Sequence, residues 1–363
     1  MRDDLSLSYS DIGLALSVPS FVALVVEPLL GVLAVTWRVR TLVVAGGFFF
    51  AGGLALLAGA PTFAVLLAAF VVLYPASGAF VSLSQASLMD LDPERREHNM
   101  ARWTLAGSVG AAAGPFLLAL FIWTGLGWRT LFGAFALLAF GLVLLVRRTP
   151  AGDVEGERPR VRDALRALGR WEVFRWVFLL EVSDLLLDVL LGFLALYFVD
   201  VVGTSDATGS IAVGVWTGAF LVGSALAIPF LRRFDGLRYL RASAVVSGML
   251  FVAFLTVPSV SVKLALVAAL GVVNAGWYPV LKARLYDALH GASGLVLTVG
   301  ALFPLNAALP LAIAGLAERF GLGVALWSLL AAPVALVLLV RAPQNGPRRL
   351  NGDHPGRRSY DAT

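Results

Sequence analysis

The chain has no cysteine and only three histidines in 363 residues. Disulfides, thiolate metal sites and cysteine nucleophiles are therefore excluded. His98, His290 and His354 fall in loops or the tail of the apolar pattern, so no histidine metal cluster and no cofactor is expected. Charge is scarce as well: Asp, Glu, Lys and Arg make up 14% of the chain against 59% hydrophobic residues, with a mean hydropathy of +0.86. Water-soluble domains do not have that composition. The opening MRDDLSLSYS lacks the basic start and short apolar core of a cleavable signal. A Walker loop, a G-x-S-x-G elbow and an H-E-x-x-H helix are also missing, which argues against an ATP-driven pump and against an enzyme.

What is present is apolar sequence in long runs. Eleven stretches, at 11–35, 41–59, 62–88, 99–124, 128–146, 174–199, 208–231, 239–257, 262–286, 293–317 and 321–340, are each long enough to cross a bilayer; a spanning helix needs roughly 20 residues. Ala, Leu, Val, Gly and Phe dominate them without the alternation of a membrane barrel. The fold class is thus an all-α integral membrane protein with the lipid bilayer as its first partner.

The net charge of +5 says more about orientation than about partners. Most basic residues lie in one alternating set of loops: Arg38 and Arg40, Arg95 and Arg96, Arg147 to Arg175, Arg232 to Arg241, Lys282 and Arg284, and the tail. The other set holds only Arg2, Arg129, Lys263 and Arg319. Lys and Arg collect on the cytoplasmic side of short loops, so the C-terminus is expected inside and Met1 outside. Scattered in this way, the arginines form no nucleic-acid patch.

Residues 147–173 divide the chain. Their first part, RRTPAGDVEGERPR, has the Pro, Gly and charge content of a solvated linker, and their second, VRDALRALGRW, has the pattern of an amphipathic helix on the anionic leaflet. The expected domains are an N-terminal bundle at 1–146, this cytoplasmic linker, a six-helix bundle at 174–341 and a disordered cytoplasmic tail at 342–363. The two bundles also match in register. SYSDIG, Ser8 to Gly13, aligns with TSDATG, Thr204 to Gly209, and QASLMD, Gln85 to Asp90, aligns with KARLYD, Lys282 to Asp287, at offsets of 196 and 197 residues. Parallel repeats about an axis along the membrane normal follow. Under that register twelve spans are expected, and 174–199 has no counterpart in the first half. The first bundle should then hold five helices and leave its cavity open to lipid beside 174–199 or a neighbour.

With these features the chain resembles the major facilitator superfamily, from about Asp4 to Arg341. GVLAVTWRVR, Gly31 to Arg40, sits where that family carries a G-x-L-a-D-r-x-G-R-R loop, with Gly31, Arg38 and Arg40 retained and Val35 at the Asp position. In the family that loop is thought to latch the halves together on the cytoplasmic side. GAAAGP, Gly110 to Pro115, resembles the fifth-helix G-x-x-x-G-P pattern of efflux members, and LGWRTLF, Leu126 to Phe132, resembles the turn opening the sixth helix. More loosely, DLSLSYSDIG and EPLLG resemble fosmidomycin-resistance-type and other drug-efflux members. Gly110, Gly114 and Pro115 are expected either to pack helices closely or to hinge.

Ionisable groups inside a membrane cost at least roughly 2.5 kcal/mol each at mid-depth, so those retained point to function. Glu181, Asp184 and Asp188 fall within about a 60° arc of one helix, with Asp184 deepest. Three carboxylates on one face raise each other's proton affinity. They are candidates for proton coupling or substrate binding, and the resemblance puts their helix beside the transport route. Glu27, followed by Pro28, is the fourth such acid and a candidate for coupling, a gate or an ion pair. Asn274, Trp277, Tyr278 and Lys282 occupy successive turns of a helix that, by the resemblance, also faces the cavity; Gln85 and Tyr74 extend the polar lining from the first half. Pairing of the acids with Arg175 or Arg102, and snorkelling of Lys282 to the interface, stand as purely structural alternatives.

These features converge on a monomeric, multi-pass carrier of the inner (plasma) membrane. It moves a small molecule by alternating access, and a proton-coupled exporter is the leading expectation. A transport-inactive sensor, scaffold or truncated relic is the alternative, and nutrient uptake the third.

Overall fold

In the computed structural model the described residues are 4, 5, 7, 9–148, 162, 166, 168–289, 292–302 and 305–340. Most of the amphipathic linker helix and all of the tail expected at 342–363 lie outside them. The described residues form helices and their connecting turns, with no strand among them.

The first half runs α1 (Tyr9–Thr36), α2 (Val39–Ala58), α3 (Phe63–Ser77), α4 (Leu83–Leu91), α5 (Arg96–Trp123) and α6 (Gly127–Arg148). A π-helical turn at Gly78–Ser82 joins α3 to α4, so the two make one continuous span. In the second half come α7 (Trp171–Asp184) and α8 (Leu190–Leu196), interrupted and followed by π turns at Leu185–Val189 and Tyr197–Val201. Next are α9 (Asp206–Arg233), α10 (Gly236–Thr256), α11 (Val260–Asn274) and α12 (Trp277–Ala288). The chain closes with α13 (Val296–Leu302), α14 (Leu305–Phe320), α15 (Leu322–Ala325) and α16 (Ala331–Leu339). Ten spans are long and apolar enough to cross a membrane among the described residues. The eleventh expected span, 293–317, contains α13 and α14, which residues 303 and 304 separate outside the described set.

Helix boundaries follow local chemistry. Ser205 caps α9 by accepting from the Thr208 amide, and Asp235 caps α10 by accepting from the amides of Leu237 and Arg238. Gly125 and Gly127 adopt φ of 77° and 71°, which lets the chain reverse tightly before α6. Just inside that turn, Trp128 Nε1 and Arg129 Nη1 donate to Asp4 Oδ2 at 2.9 and 2.7 Å, and Arg129 also donates to the Ala60 carbonyl. These bonds, the Trp128 one first, hold the Asp4 carboxyl below the usual aspartate range.

Lipid is as apolar as the helix surfaces, so close approach of backbones supplies much of the packing. A Cβ at Gly46 would meet Ala79 at 2.5 Å, and one at Gly47 would overlap Val143 and Phe80. Gly223 against Val272 and Gly271 against the Trp216 carbonyl do the same in the second half. Gly110 and Gly114 do not: a Cβ at either meets nothing within 4 Å, and Pro115 is exposed. The largest core is centred in the second half around Leu186, Phe198, Phe251, Trp277 and Tyr286 and continues into the first through Val35, Leu83, Met89 and Met100. The span Trp171–Val201, beside which an opening was expected, is among the best covered, with 56% of its most apolar window buried. In α5 no residue of that window is.

Candidate functional site at the interface between halves

Both copies of the matched motif meet at the end of the bundle that carries the basic loops. Arg96, at the start of α5, donates to Asp287 Oδ1 of α12 at 2.6 Å and lies 3.6 Å from Asp90. Ser293 of the second half donates to Asp90 Oδ1 at 2.6 Å. The arrangement is crossed: Asp90 and Asp287 are one repeat apart, as are their partners Ser293 and Arg96, at an offset of 197 residues. Each half thus supplies an aspartate to a donor on the other, as a pseudo-two-fold interface requires.

Further bonds cross at the same level. Tyr286 donates to Gln85 Oε1 at 2.8 Å with both side chains buried, and Arg284 lies 2.6 Å from Glu97. Glu97 in turn packs on Gly236, where a Cβ would sit 2.5 Å from its carboxylate. Arg232 Nη2 lies 3.1 Å from His98 Nε2; guanidinium can only donate, so the ring accepts there and is neutral. A polar cavity of about 670 Å³ lies over this cluster, lined by Glu94, Arg95, His98 and Arg232 among others. Midway along α5 and α9, Ser108 meets Ser224 at 3.3 Å.

The loop expected to latch the halves divides its labour. Gly31 abuts Thr298 of α13 so closely that a Cβ would overlap its hydroxyl, Thr298 donates to the Pro28 carbonyl, and Ala34 sits on Gly294. Arg40 instead binds the Val146 and Arg147 carbonyls within the first half, and Arg38 is exposed.

One turn before Tyr286 on α12 lies Lys282, and beside Gly78, seven residues before Gln85, lies Glu27 of α1; both are half-buried. The Glu27 carboxylate fills the space left by Gly78 in the π turn, where a Cβ would approach Oε1 to 2.8 Å. Lys282 Nζ lies 5.8 Å from the Tyr278 ring centroid and is the basic group whose field reaches Glu27. Tyr74 is partly exposed.

The remaining expected lining is dispersed. The row from Asn274 to Lys282 is broken, because α11 ends at Asn274 and α12 begins at Trp277. Tyr239 stabilises the break: its hydroxyl donates to the Val273 carbonyl at 2.7 Å and accepts from the Gly276 amide at 3.2 Å. Such breaks at mid-span recur in carriers. Trp277 is wholly buried and donates to Ser243, so it presents no stacking face. Asn274 is equally buried, with neither amide atom hydrogen-bonded. On α7, Glu181 is buried, Asp184 half-buried and Asp188 exposed within the π turn, which widens the helix between the last two. Arg175 stacks on Trp176 at 4.4 Å.

Residues 1–303 match the family profile of the Major Facilitator Superfamily. The chain belongs to that superfamily. Among solved structures, it is similar to FucP in the outward conformation, with 15% identity, a TM-score of 0.74, and 92% of this chain and 90% of that one covered. The proton:xylose symporter XylE matches at 16% identity and TM-score 0.68 over 93% and 88% of the two chains. The human organic anion transporter MFSD10 matches at 21% and 0.62 over 91% and 83%. No curated protein matches by sequence. At these identities the likeness shows the fold alone, two pseudo-repeated helical bundles; membership of the superfamily makes the chain a membrane-embedded transporter.

Sequence reasoning placed Asp90 and Asp287 in register but did not connect them to Arg96 or Ser293; the common offset was the available signal. Lys263 was placed among the loop residues. It is 4% exposed, in the first turn of α11, and donates to the Tyr197 hydroxyl at 2.8 Å and the Phe254 carbonyl at 2.5 Å between their two rings. No periodicity marks a lysine that turns inward.

Proposed function

We propose that this carrier is a proton-coupled secondary transporter, active as a monomer in the inner membrane, here closed at its cytoplasmic end. The crossed pairs Arg96–Asp287 and Asp90–Ser293 carry the reading. They join the halves at the end rich in Lys and Arg, which the positive-inside rule makes cytoplasmic together with the C-terminus. Opening that end requires these bonds to break, which is what rocking about a central site demands. Further side-chain bonds between the halves lie at that end, with Ser108 and Ser224 meeting midway.

Proton coupling is assigned to the carboxylates of α1 and the α7 span, with Asp184 and Glu27 the leading carriers and Glu181 and Asp188 beside Asp184. The titles of the neighbours, a fucose:proton symporter and a proton:xylose symporter, support cotransport over the antiport that the efflux-like motifs favour. Gradient-driven accumulation decides it. Cells expressing the full chain are screened with labelled organic solutes, with and without an uncoupler. Accumulation that collapses with the uncoupler is expected for a symporter; accumulation that rises marks an exporter. No effect on any solute leaves the transport-inactive scaffold as the reading. Asp184→Asn separates the two leading carriers: loss of uphill movement keeps Asp184 on the proton path, and unchanged coupling leaves Glu27 as the carrier.

A further inference from the structure

Lys282 is a half-buried cation that forms no hydrogen bond or ion pair among the described residues, resting only against the Tyr278 ring. It stands immediately above the sealed cytoplasmic end, since Tyr286, one turn further along α12, is already bonded to Gln85 of the other half. Across the interface stands Glu27, which forms no hydrogen bond among the described residues and packs against Gly78. The elements around Glu27 bring few competing groups. Tyr74 on α3 and Arg40 on α2 are the titratable or charged ones, Arg40 being bound to carbonyls of α6, and α13 and the turn before it bring none. Glu27 and Lys282 are therefore paired in charge without being paired in contact.

We propose that Lys282 binds the anionic group of a small organic monoanion, and that Glu27 takes up one proton from water as that anion arrives, so that anion and proton move together. An empty site holds a carboxylate facing an ammonium. A loaded one holds a neutral carboxyl and an ammonium bound to the substrate anion. Summed over Glu27, Lys282 and the bound anion, the net charge is zero in both states, so neither re-orientation carries charge across the membrane. Separating the charges in low dielectric is what forbids the intermediate states: an anion without the proton leaves Glu27 repelling it, and a proton without the anion leaves Lys282 unbalanced. This rests on the proton-coupled carrier reading and deepens it by naming the substrate class.

The test uses the full chain in phosphatidylcholine vesicles with a pH-sensitive dye, each probe being scored against protein-free vesicles at neutral pH. Benzenesulfonate and gluconate should each carry protons with them. Their neutral counterparts benzenesulfonamide and sorbitol, and the cation benzyltrimethylammonium, should not. Flux should follow an imposed pH gradient and ignore a potassium diffusion potential set with valinomycin. Lys282→Gln should weaken the anion response about ten- to a hundredfold, the worth of one charge-assisted contact, with Lys282→Arg restoring most of it. Glu27→Gln should remove the dependence of flux on the pH gradient, which a merely structural role for Glu27 does not predict. If the neutral or cationic probes move protons and the anions do not, the anion assignment is wrong while the carrier stands. If anion flux follows the diffusion potential, the one-proton balance is wrong. If no probe of any charge moves protons, this inference falls together with proton coupling.

Discussion

At the scale of single residues the contrast between Lys263 and Asp4 separates buried from exposed electrostatics. Lys263 has left water for two rings, a hydroxyl and a carbonyl, and no carboxylate offsets its charge among the described residues. Removing the acceptor should therefore harm more than removing the cation. Tyr197→Phe is expected to lower stability by about 1–3 kcal/mol, while Lys263→Met falls within about 1 kcal/mol of the natural chain. Unfolding in detergent ranks the two, and a larger loss in Lys263→Met would overturn the account. Asp4 is exposed, and the downward shift of its carboxyl has a definite sign. Its bonds to Trp128 and Arg129 are complete above the ordinary aspartate value of 3.8 and are lost only as pH falls through the lower folded-state value. The Trp128 indole N–H resonance should hold its shift from neutral pH down to 3.8; a midpoint at or above that value contradicts the bonding seen here.

Among the helices, glycines sort by what faces them rather than by motif. Gly46 is pressed on Ala79 in the π turn of the next span, whereas Gly110 in the conspicuous small-residue pattern of α5 faces open space. Gly46→Val should cost roughly 1–3 kcal/mol through overpacking, and Gly110→Val should stay within about 0.5 kcal/mol. Equal melting shifts for the two would show that α5 has a tight partner in the membrane. The same scale explains the broken span at 275–276. Gly276 admits the Tyr239 hydroxyl where any Cβ would overlap the ring, so backbone groups freed by the break stay satisfied inside the bilayer.

Across the whole molecule the prediction concerns the balance between open and closed ends. The chain has no cysteine, so an engineered pair is the only thiol present. Asp90→Cys with Ser293→Cys places the thiols where native oxygens lie 2.6 Å apart. A cleavable bifunctional thiol reagent should join them, arrest transport and release it on reduction; free transport by the fully joined protein would refute rocking about this interface. Arg96→Ala removes the donor to Asp287 and its contact with Asp90. Loss of charge-assisted bonds of this kind should shift the population roughly tenfold towards opening at the basic end, read as faster thiol labelling of Ser293→Cys.

Composition and periodicity by themselves determined that this is a helical membrane protein, because a polar backbone in lipid leaves few alternatives once apolar runs reach spanning length. The repeat was legible too, since Asp90 and Asp287 kept both their type and their spacing. Tertiary structure alone decided which of those residues meet. Helix periodicity assigns a side chain to a face but not the face to a neighbour, so Trp277 turned out spent on Ser243, and Lys263 turned inward from a loop-like position. The π turns at 78–82 and 185–189 decided the rest, because one extra residue in a helical turn re-aims every side chain beyond it, and no residue type announces where that happens.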